Sequence, residues 1–73
     1  MMKNVNIKNF VEEVRKSANL SQEQLAVETD VHWKTIRSVE QGKHKLSLEL
    51  ALRIADALEV SVDNLFKLEG GKR

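Results

Sequence analysis

Residues 20–42, with the sequence LSQEQLAVETDVHWKTIRSVEQG, decide the fold of this chain. Ser21 is followed three residues later by Gln24, which is the capping-box pattern of a helix start. We expect this helix to stop near Asp30, because the apolar periodicity breaks there and Asp tolerates turn conformations. These signals predict a short helix over about 22–29.

A second short helix is predicted within the same stretch. Ile36 and Val39 are three residues apart, so both side chains can face the core. Gly42 is expected to end the helix, since Gly is the residue most easily placed just past a helix terminus. The pattern predicts a helix over 33–41, with His32 flanking its start, and the two helices are joined by a turn.

Apolar residues at helical spacing predict three further helices around this pair. The first helix is expected at about 7–18, with Asn6 as its N-cap and Asn19 as a residue that accepts the left-handed geometry of a helix end. Ser47 is expected to cap the fourth helix, and Ser61 is expected to cap a short fifth helix. Because the sequence shows no strand alternation, the predicted fold class is all-α.

Composition narrows the classes of function. The chain has 73 residues, no cysteine, no proline and a formal net charge of +1. Residues 1–73 are therefore expected to form a single domain, and a chain this short needs economical helix packing or oligomerisation for stability. The two histidines have no ligands at metal-binding spacing, so we expect no metal, no cofactor and no enzymatic activity.

The distribution of charge is more informative than its sum. Residues 11–31 carry −3, residues 32–45 carry +3, and residues 46–63 carry −3. A basic window between two acidic ones indicates an anion-binding face, although a solvated charged loop explains it equally well. No apolar run approaches the roughly 18 residues that a membrane span needs, and no signal-peptide core follows the first residues, so we expect a cytoplasmic protein with no membrane partner.

From Leu20 to Phe66 the sequence resembles the Cro/cI-type (XRE-type) helix-turn-helix repressor family. The matching stretches are residues 20–26, residues 31–43, residues 47–49, residues 54–58 and residues 60–66. The resemblance implies a compact five-helix domain of the phage-repressor-like (lambda repressor-like) DNA-binding type over 7–66. Its helix-turn-helix spans about 21–40, and residues 67–73 form a short tail.

The sequence departs from the family pattern at three positions. Asp30 and Glu59 occupy positions where the family usually has glycine, and Leu46 stands where proline is common. Asp adopts a left-handed conformation at modest cost, whereas Glu is less comfortable there. These departures bear on local turn geometry more than on the fold.

The resemblance implies a sequence-specific regulator of transcription that binds double-stranded DNA. We expect a repressor that acts as a homodimer on an inverted repeat, with helix 33–41 in the major groove. The expected DNA-binding residues are Gln22, His32, Trp33, Lys34, Thr35, Arg37, Ser38, Lys43, His44 and Lys45. Lys34 and Ser38 are expected to face the bases, and Arg37 and the loop 43–45 to contact phosphates.

Trp33 allows two interpretations. It is the only tryptophan and opens the predicted recognition helix, where it can read DNA or contact a partner protein. It also lies close to Ile36 on the helical wheel, so partial burial in the core is the alternative. An exposed Trp33 supports the rival function, a protein-interaction module such as an antitoxin-like subunit.

Two structural roles complete the expectations. By resemblance, Arg15 and Glu40 should form an ion pair that joins two helices. The resemblance also points to the last two helices for dimerisation, with Leu65, Phe66 and Leu68 as apolar contacts between two copies.

Overall fold

Five helices and two short strands make up the chain in the computed structural model, which describes residues 6–69. In chain order these elements are β1 (Asn6–Asn9), α1 (Val11–Ser17), α2 (Gln22–Thr29), α3 (Trp33–Glu40), α4 (Leu48–Leu58), α5 (Val62–Leu65) and β2 (Phe66–Glu69). The two helices predicted from residues 20–42 are present, with α3 one residue shorter than expected. The helices therefore dominate the fold, but the molecule is not purely all-α.

The helix starts follow the predicted polar residues in α2 and α4. The Ser21 hydroxyl accepts a hydrogen bond from the Gln24 amide at 3.0 Å, and the Gln24 side chain accepts one from the Ser21 amide at 2.7 Å. Ser47 accepts a hydrogen bond from the Leu50 amide in the same way. Ser61 precedes α5 but makes no such bond, so capping by its side chain is not observed.

Four helices end in one backbone arrangement. Each is followed by a residue with positive φ, between 59° and 74°, and these residues are Asn19, Asp30, Gly42 and Glu59. In each case the amide of the residue after the positive-φ residue donates to the carbonyl five residues earlier. Lys43 donates to Ser38 at 2.9 Å, and Val60 donates to Ala55 at 3.0 Å. This is the Schellman arrangement, which satisfies carbonyls that a helix end would leave free.

The hydrophobic core lies between the helices and uses the predicted apolar stripes. Its buried members are Val11, Leu25, Ala26, Ile36, Val39, Leu50, Ile54, Ala55, Leu58 and Leu65. Thr29 is buried with them, and its hydroxyl donates to the Leu25 carbonyl at 2.8 Å. Each helix contributes at least one side chain, so the core holds all five helices around one centre.

The predicted start of the first helix was wrong. Residues 6–9 form strand β1, which pairs antiparallel with β2, so that Ile7 lies opposite Leu68 and Asn9 opposite Phe66. Helix α1 begins at Val11, and Asn6 does not cap it. A stretch of only four residues that mixes apolar and polar side chains fits either a helix or a strand. The partner strand that decides between the two lies about 60 residues away in the chain.

Asn9 makes the side-chain hydrogen bonds near the start of α1, where Phe10 occupies the N-cap position. Its side-chain oxygen accepts a hydrogen bond from the Val11 amide at 3.3 Å, and its side-chain nitrogen donates to the Val39 carbonyl at 3.1 Å. Residues 67–69 of the expected tail belong to β2, which begins at Phe66, and residues 70–73 lie outside the described residues.

Candidate nucleic-acid interface

A three-residue turn joins α2 to α3 and sets the angle between them. Asp30 takes the left-handed conformation at φ 60°, and the Val31 amide donates to the Ala26 carbonyl at 3.1 Å. Arg53 of α4 donates to the Thr29 carbonyl at 3.3 Å, which supports the same turn from a third helix. The turn is thus held by a backbone hydrogen bond from Val31 to α2 and by a side-chain hydrogen bond from α4.

Helix α3 has one buried side and one free side. Ile36 and Val39 are buried, whereas Lys34 and Arg37 are exposed and Ser38 is half-buried. Gln41, directly after the helix, is also exposed and lies three residues beyond Ser38. We call Lys34, Arg37, Ser38 and Gln41 the outer face of α3. Sequence reasoning left Gln41 out of the site, although its spacing from Lys34 and Ser38 places it on the same stripe.

His32 and Trp33 sit at the start of α3 and contact each other. The His32 ring accepts a hydrogen bond from the Lys34 amide through Nδ1 at 3.1 Å, which makes it the N-cap of the helix. A neutral ring that accepts through Nδ1 carries its proton on Nε2, where it can donate outward. The His32 and Trp33 rings stack with centroids 5.9 Å apart.

Trp33 is half-buried and packs against the core, as its spacing from Ile36 allowed. The ring therefore has less surface for an outside partner than a fully exposed tryptophan has. Thr35 is also half-buried, and it lines a shallow cavity of about 230 Å³ between α3 and the start of α4. Both residues lie at the side of α3 rather than on its outer face.

The loop after α3 carries the remaining expected contacts. Lys43, His44 and Lys45 are all exposed, and Gly42 starts the loop at φ 74°. The amides of Lys43 and His44 both donate to the Ser38 carbonyl, at 2.9 Å and 3.3 Å, so the loop is tied to the end of α3. The backbone that carries Lys43 therefore stays fixed to the last turn of α3.

A buried ion pair holds the other end of α3. Arg15 of α1 donates to Glu40 through Nε at 2.7 Å and through a second guanidinium nitrogen at 3.2 Å. The two side chains are only 9 % and 3 % exposed, and Arg15 also donates to the Leu20 carbonyl at 2.8 Å. The hydrogen bonds to Glu40 raise the pKa of Arg15, so the guanidinium remains charged.

Gln22 belongs to this buried pair. Its side-chain nitrogen donates to the same Glu40 carboxylate at 2.9 Å. One of the two amide hydrogens is thus committed within the protein, and the other remains available to an outside acceptor. Gln22, expected at the DNA surface, therefore joins the start of α2 to the end of α3.

The Arg15–Glu40 pair removes the one negative charge from the basic window of residues 32–45. Glu40 is the only carboxylate among residues 32–45, and Arg15 neutralises it. Within the part of the chain that the structure describes, none of the four cations of this window forms a salt bridge; they are Lys34, Arg37, Lys43 and Lys45. The outer face and the loop therefore each carry positive charge that no carboxylate in the described residues pairs with.

The expected dimer residues differ in their exposure. Leu65 is fully buried in the core of its own chain and presents no surface to a second copy. Phe66 is half-buried, and Leu68 is 73 % exposed. No helix among the described residues is long and apolar enough to cross a membrane.

A short helix with a free, cation-bearing face, positioned by a capped turn after another short helix, is the arrangement of a helix-turn-helix DNA-binding domain. The family model described as helix-turn-helix matches residues 11–65. The chain belongs to this helix-turn-helix family of DNA-binding transcriptional regulators.

Relatives and a solved structure agree with this family. The chain is 38 % identical over 63 residues to an uncharacterized HTH-type transcriptional regulator of Methanocaldococcus jannaschii, covering 86 % of this chain and 96 % of the relative. It is 36 % identical over 59 residues to the cryptic phage CTXphi transcriptional repressor RstR of Vibrio cholerae, covering 81 % of this chain and 53 % of RstR. It is similar to the restriction-modification controller protein C.AhdI of Aeromonas hydrophila, with 31 % identity and a TM-score of 0.72 over 74 % of this chain and 82 % of C.AhdI.

Proposed function

We propose that this regulator is a repressor that binds an inverted repeat in double-stranded DNA as a homodimer, with α3 in the major groove. The observation that carries the proposal is the outer face of α3, which presents cations and hydrogen-bonding groups on a helix held at both ends. An α-helix fits the major groove, where each base pair shows a distinct pattern of donors and acceptors.

The outer face divides into base-reading and phosphate-binding residues. Lys34 and Ser38 are one turn apart and face the groove floor together, so Lys34 donates to guanine O6 and N7. Gln41 extends this stripe by one further turn. Arg37 lies to one side and contacts a phosphate, as does the free amide hydrogen of Gln22 at the start of α2.

The loop after α3 provides contacts that do not depend on sequence. Lys43 and Lys45 are flexible cations beside the outer face, and they bind phosphates across the groove from Arg37. His44 and the outward Nε2 of His32 donate to the backbone in the same way. Trp33 and Thr35, at the side of α3, contact the groove wall through their exposed parts.

A single α3 reads only a few base pairs, so one copy discriminates weakly among sequences. Two copies related by a two-fold axis read two half-sites, with centres about one helical turn (~34 Å) apart. A repressor role is supported by the similarity to a phage transcriptional repressor.

Selection of random duplex DNA by the purified protein, followed by sequencing, tests the proposal. We expect an inverted repeat whose half-site centres lie about 10 base pairs apart. The control is a Lys34→Ala, Ser38→Ala variant, which keeps the fold and should lose enrichment of the site. A well-folded protein that enriches no sequence would contradict the proposal and favour a protein partner.

A further inference from the structure

Arg53 of α4 lies against the end of α2 and is not a member of the outer face of α3. One of its guanidinium nitrogens donates to the Thr29 carbonyl at 3.3 Å, and the other donates to the Glu49 carboxylate at 2.5 Å. Glu49 lies one turn earlier on α4, so it holds the guanidinium in place from the same helix. Arg53 therefore forms a bridge from α4 to the last residue of α2.

The end of α2 receives its cation from another helix. Helix α2 carries Glu28 in its last turn and is followed by Asp30, and its last turn has no basic residue of its own. The carbonyls at a helix C-terminus carry partial negative charge, so acidic residues are unfavourable there and a cation is favourable. Two earlier carbonyls of α2 accept hydrogen bonds from the backbone of the turn, whereas the Thr29 carbonyl accepts one from Arg53. Arg53 thus supplies both a charge and a donor that α2 lacks.

A gap separates α3 from α4 beside this turn. The shallow cavity of about 230 Å³ has Val31 and Thr35 on one wall and Leu50 and Arg53 on the other. Helix α4 packs closely against α2, and α2 packs closely against α3. The position of α3 relative to α4 therefore depends on the turn that joins α2 to α3, and Arg53 binds the residue at which that turn begins.

We propose that Arg53 is a positioning residue for DNA recognition, which fixes the end of α2 on α4 and thereby sets the orientation of α3 in the major groove without contacting DNA. The proposal rests on the proposed function, because it takes α3 as the helix that reads the bases. Hydrogen bonds to base edges depend steeply on distance and angle, whereas the attraction of a cation to phosphates does not. A small rotation of α3 therefore weakens base reading by Lys34 and Ser38 more than it weakens phosphate binding by the loop after α3.

Binding titrations of the full chain on the selected site and on a scrambled duplex of equal length test the proposal. We expect Arg53→Met to lower the ratio of the two affinities by about tenfold, with the affinity for the scrambled duplex changed by less than about twofold. The salt dependence should equal that of the wild type, because no phosphate contact is lost. Arg53→Lys should recover part of the ratio, since its ammonium keeps the charge and a donor for the Thr29 carbonyl.

Lys16→Met is the matched control. Lys16 pairs with Glu12 one turn away on α1, so this change removes one positive charge from a pair that lies within a single helix. It should bind both duplexes as the wild type does. The Arg53 side chain is 45 % exposed, so circular dichroism should show Arg53→Met folded. If it is not, Arg53→Gln takes its place with the same expected result, because its shorter side chain also removes the charge from the end of α2.

Several results would overturn the proposal. An unchanged ratio in a folded Arg53→Met, even with a lower free energy of unfolding, would limit Arg53 to a role in stability. An equal loss on both duplexes with a smaller salt dependence would make Arg53 a phosphate contact. A loss of the ratio that Arg53→Lys does not recover, or that Lys16→Met shares, would also contradict positioning by Arg53. A wild type that enriches no sequence contradicts the proposed function as well, so the two failures are distinguishable.

Discussion

The segment from α2 to α3 and the ribbon of β1 and β2 are built by opposite means. The helix pair is specified by neighbours in sequence: the capping box at Ser21, the turn at Asp30 and the loop at Gly42 all act within a few residues. The ribbon depends on two segments from opposite ends of the chain, joined to the body by Asn9 and by the hydrogen bond from the Phe10 amide to the Leu65 carbonyl. The proposed recognition surface thus lies on the locally determined part of the molecule, whereas the ribbon is its non-local part.

The largest effect is expected at the buried pair that closes the helix pair against α1. Arg15→Met leaves the Glu40 carboxylate buried with only the amide of Gln22, which should lower the free energy of unfolding by about 3–5 kcal/mol. Urea denaturation followed by circular dichroism measures this loss. Glu12→Gln is the control, because the pair of Glu12 with Lys16 is exposed and should contribute little. An equal loss of unfolding free energy in Arg15→Met and Glu12→Gln would show that burial does not determine the strength of an ion pair here.

The outer face of α3 should separate base reading from phosphate binding. Lys34→Ala is expected to relax sequence preference by about 1–3 kcal/mol at one base pair. Lys45→Ala should weaken binding evenly across sequences and reduce the salt dependence by roughly one ion. Binding titrations on matched and mismatched duplexes at several salt concentrations measure both. A uniform loss in Lys34→Ala would make Lys34 a phosphate contact.

Asn9 links the ribbon to the helices, so its replacement tests how strongly the two regions are coupled. Asn9→Ala removes the hydrogen bond to the Val39 carbonyl and the acceptor for the Val11 amide, and should cost about 1–2 kcal/mol of stability. Amide hydrogen exchange should rise first in β1 and β2. Faster exchange confined to α3, with the ribbon unchanged, would contradict this coupling.

The smallest effects are expected at the helix ends. Glu59 has a side chain at φ 59°, where glycine has no steric penalty, so Glu59→Gly should raise stability by about 1 kcal/mol. Gly42→Ala should lower stability by a similar amount through backbone strain alone, because a Cβ there meets nothing within 4 Å. Thermal denaturation of both variants checks the opposite signs, and a loss of stability in Glu59→Gly would refute the argument.

Predictions from the sequence succeeded where the signal was local. Ser21, Ser47 and Gly42 mark helix ends through hydrogen bonds to neighbouring residues, and the structure has helix ends at all three positions. Residues 7–9 were predicted as the start of the first helix because their strand partner is more than 50 residues further along the chain, and no local pattern reveals it. In the candidate site, local spacing is likewise sufficient to account for the exposure of Lys34 and Arg37, which follows from their positions on the helix.

Contacts between distant residues account for the remaining differences. The burial of Leu65 depends on how α5 packs against other helices, and an apolar residue near the end of a chain fits either core or interface. The Gln22 side chain donates a hydrogen bond to Glu40 of another helix. The position of Gln22 at a helix start did not indicate this contact. Helical spacing gives Trp33 neither a wholly inner nor a wholly outer position, so the sequence alone allows both interpretations.

Helix α3 is anchored at both ends by groups that take no part in its outer face. The His32 ring holds the first turn, and the Arg15–Glu40 pair holds the last. The four outer side chains can therefore be replaced without moving the backbone that carries them. In evolutionary terms the proposed function makes this helix an interchangeable reading surface on a constant support, so that new operator preferences arise from substitutions at Lys34, Ser38 and Gln41 alone.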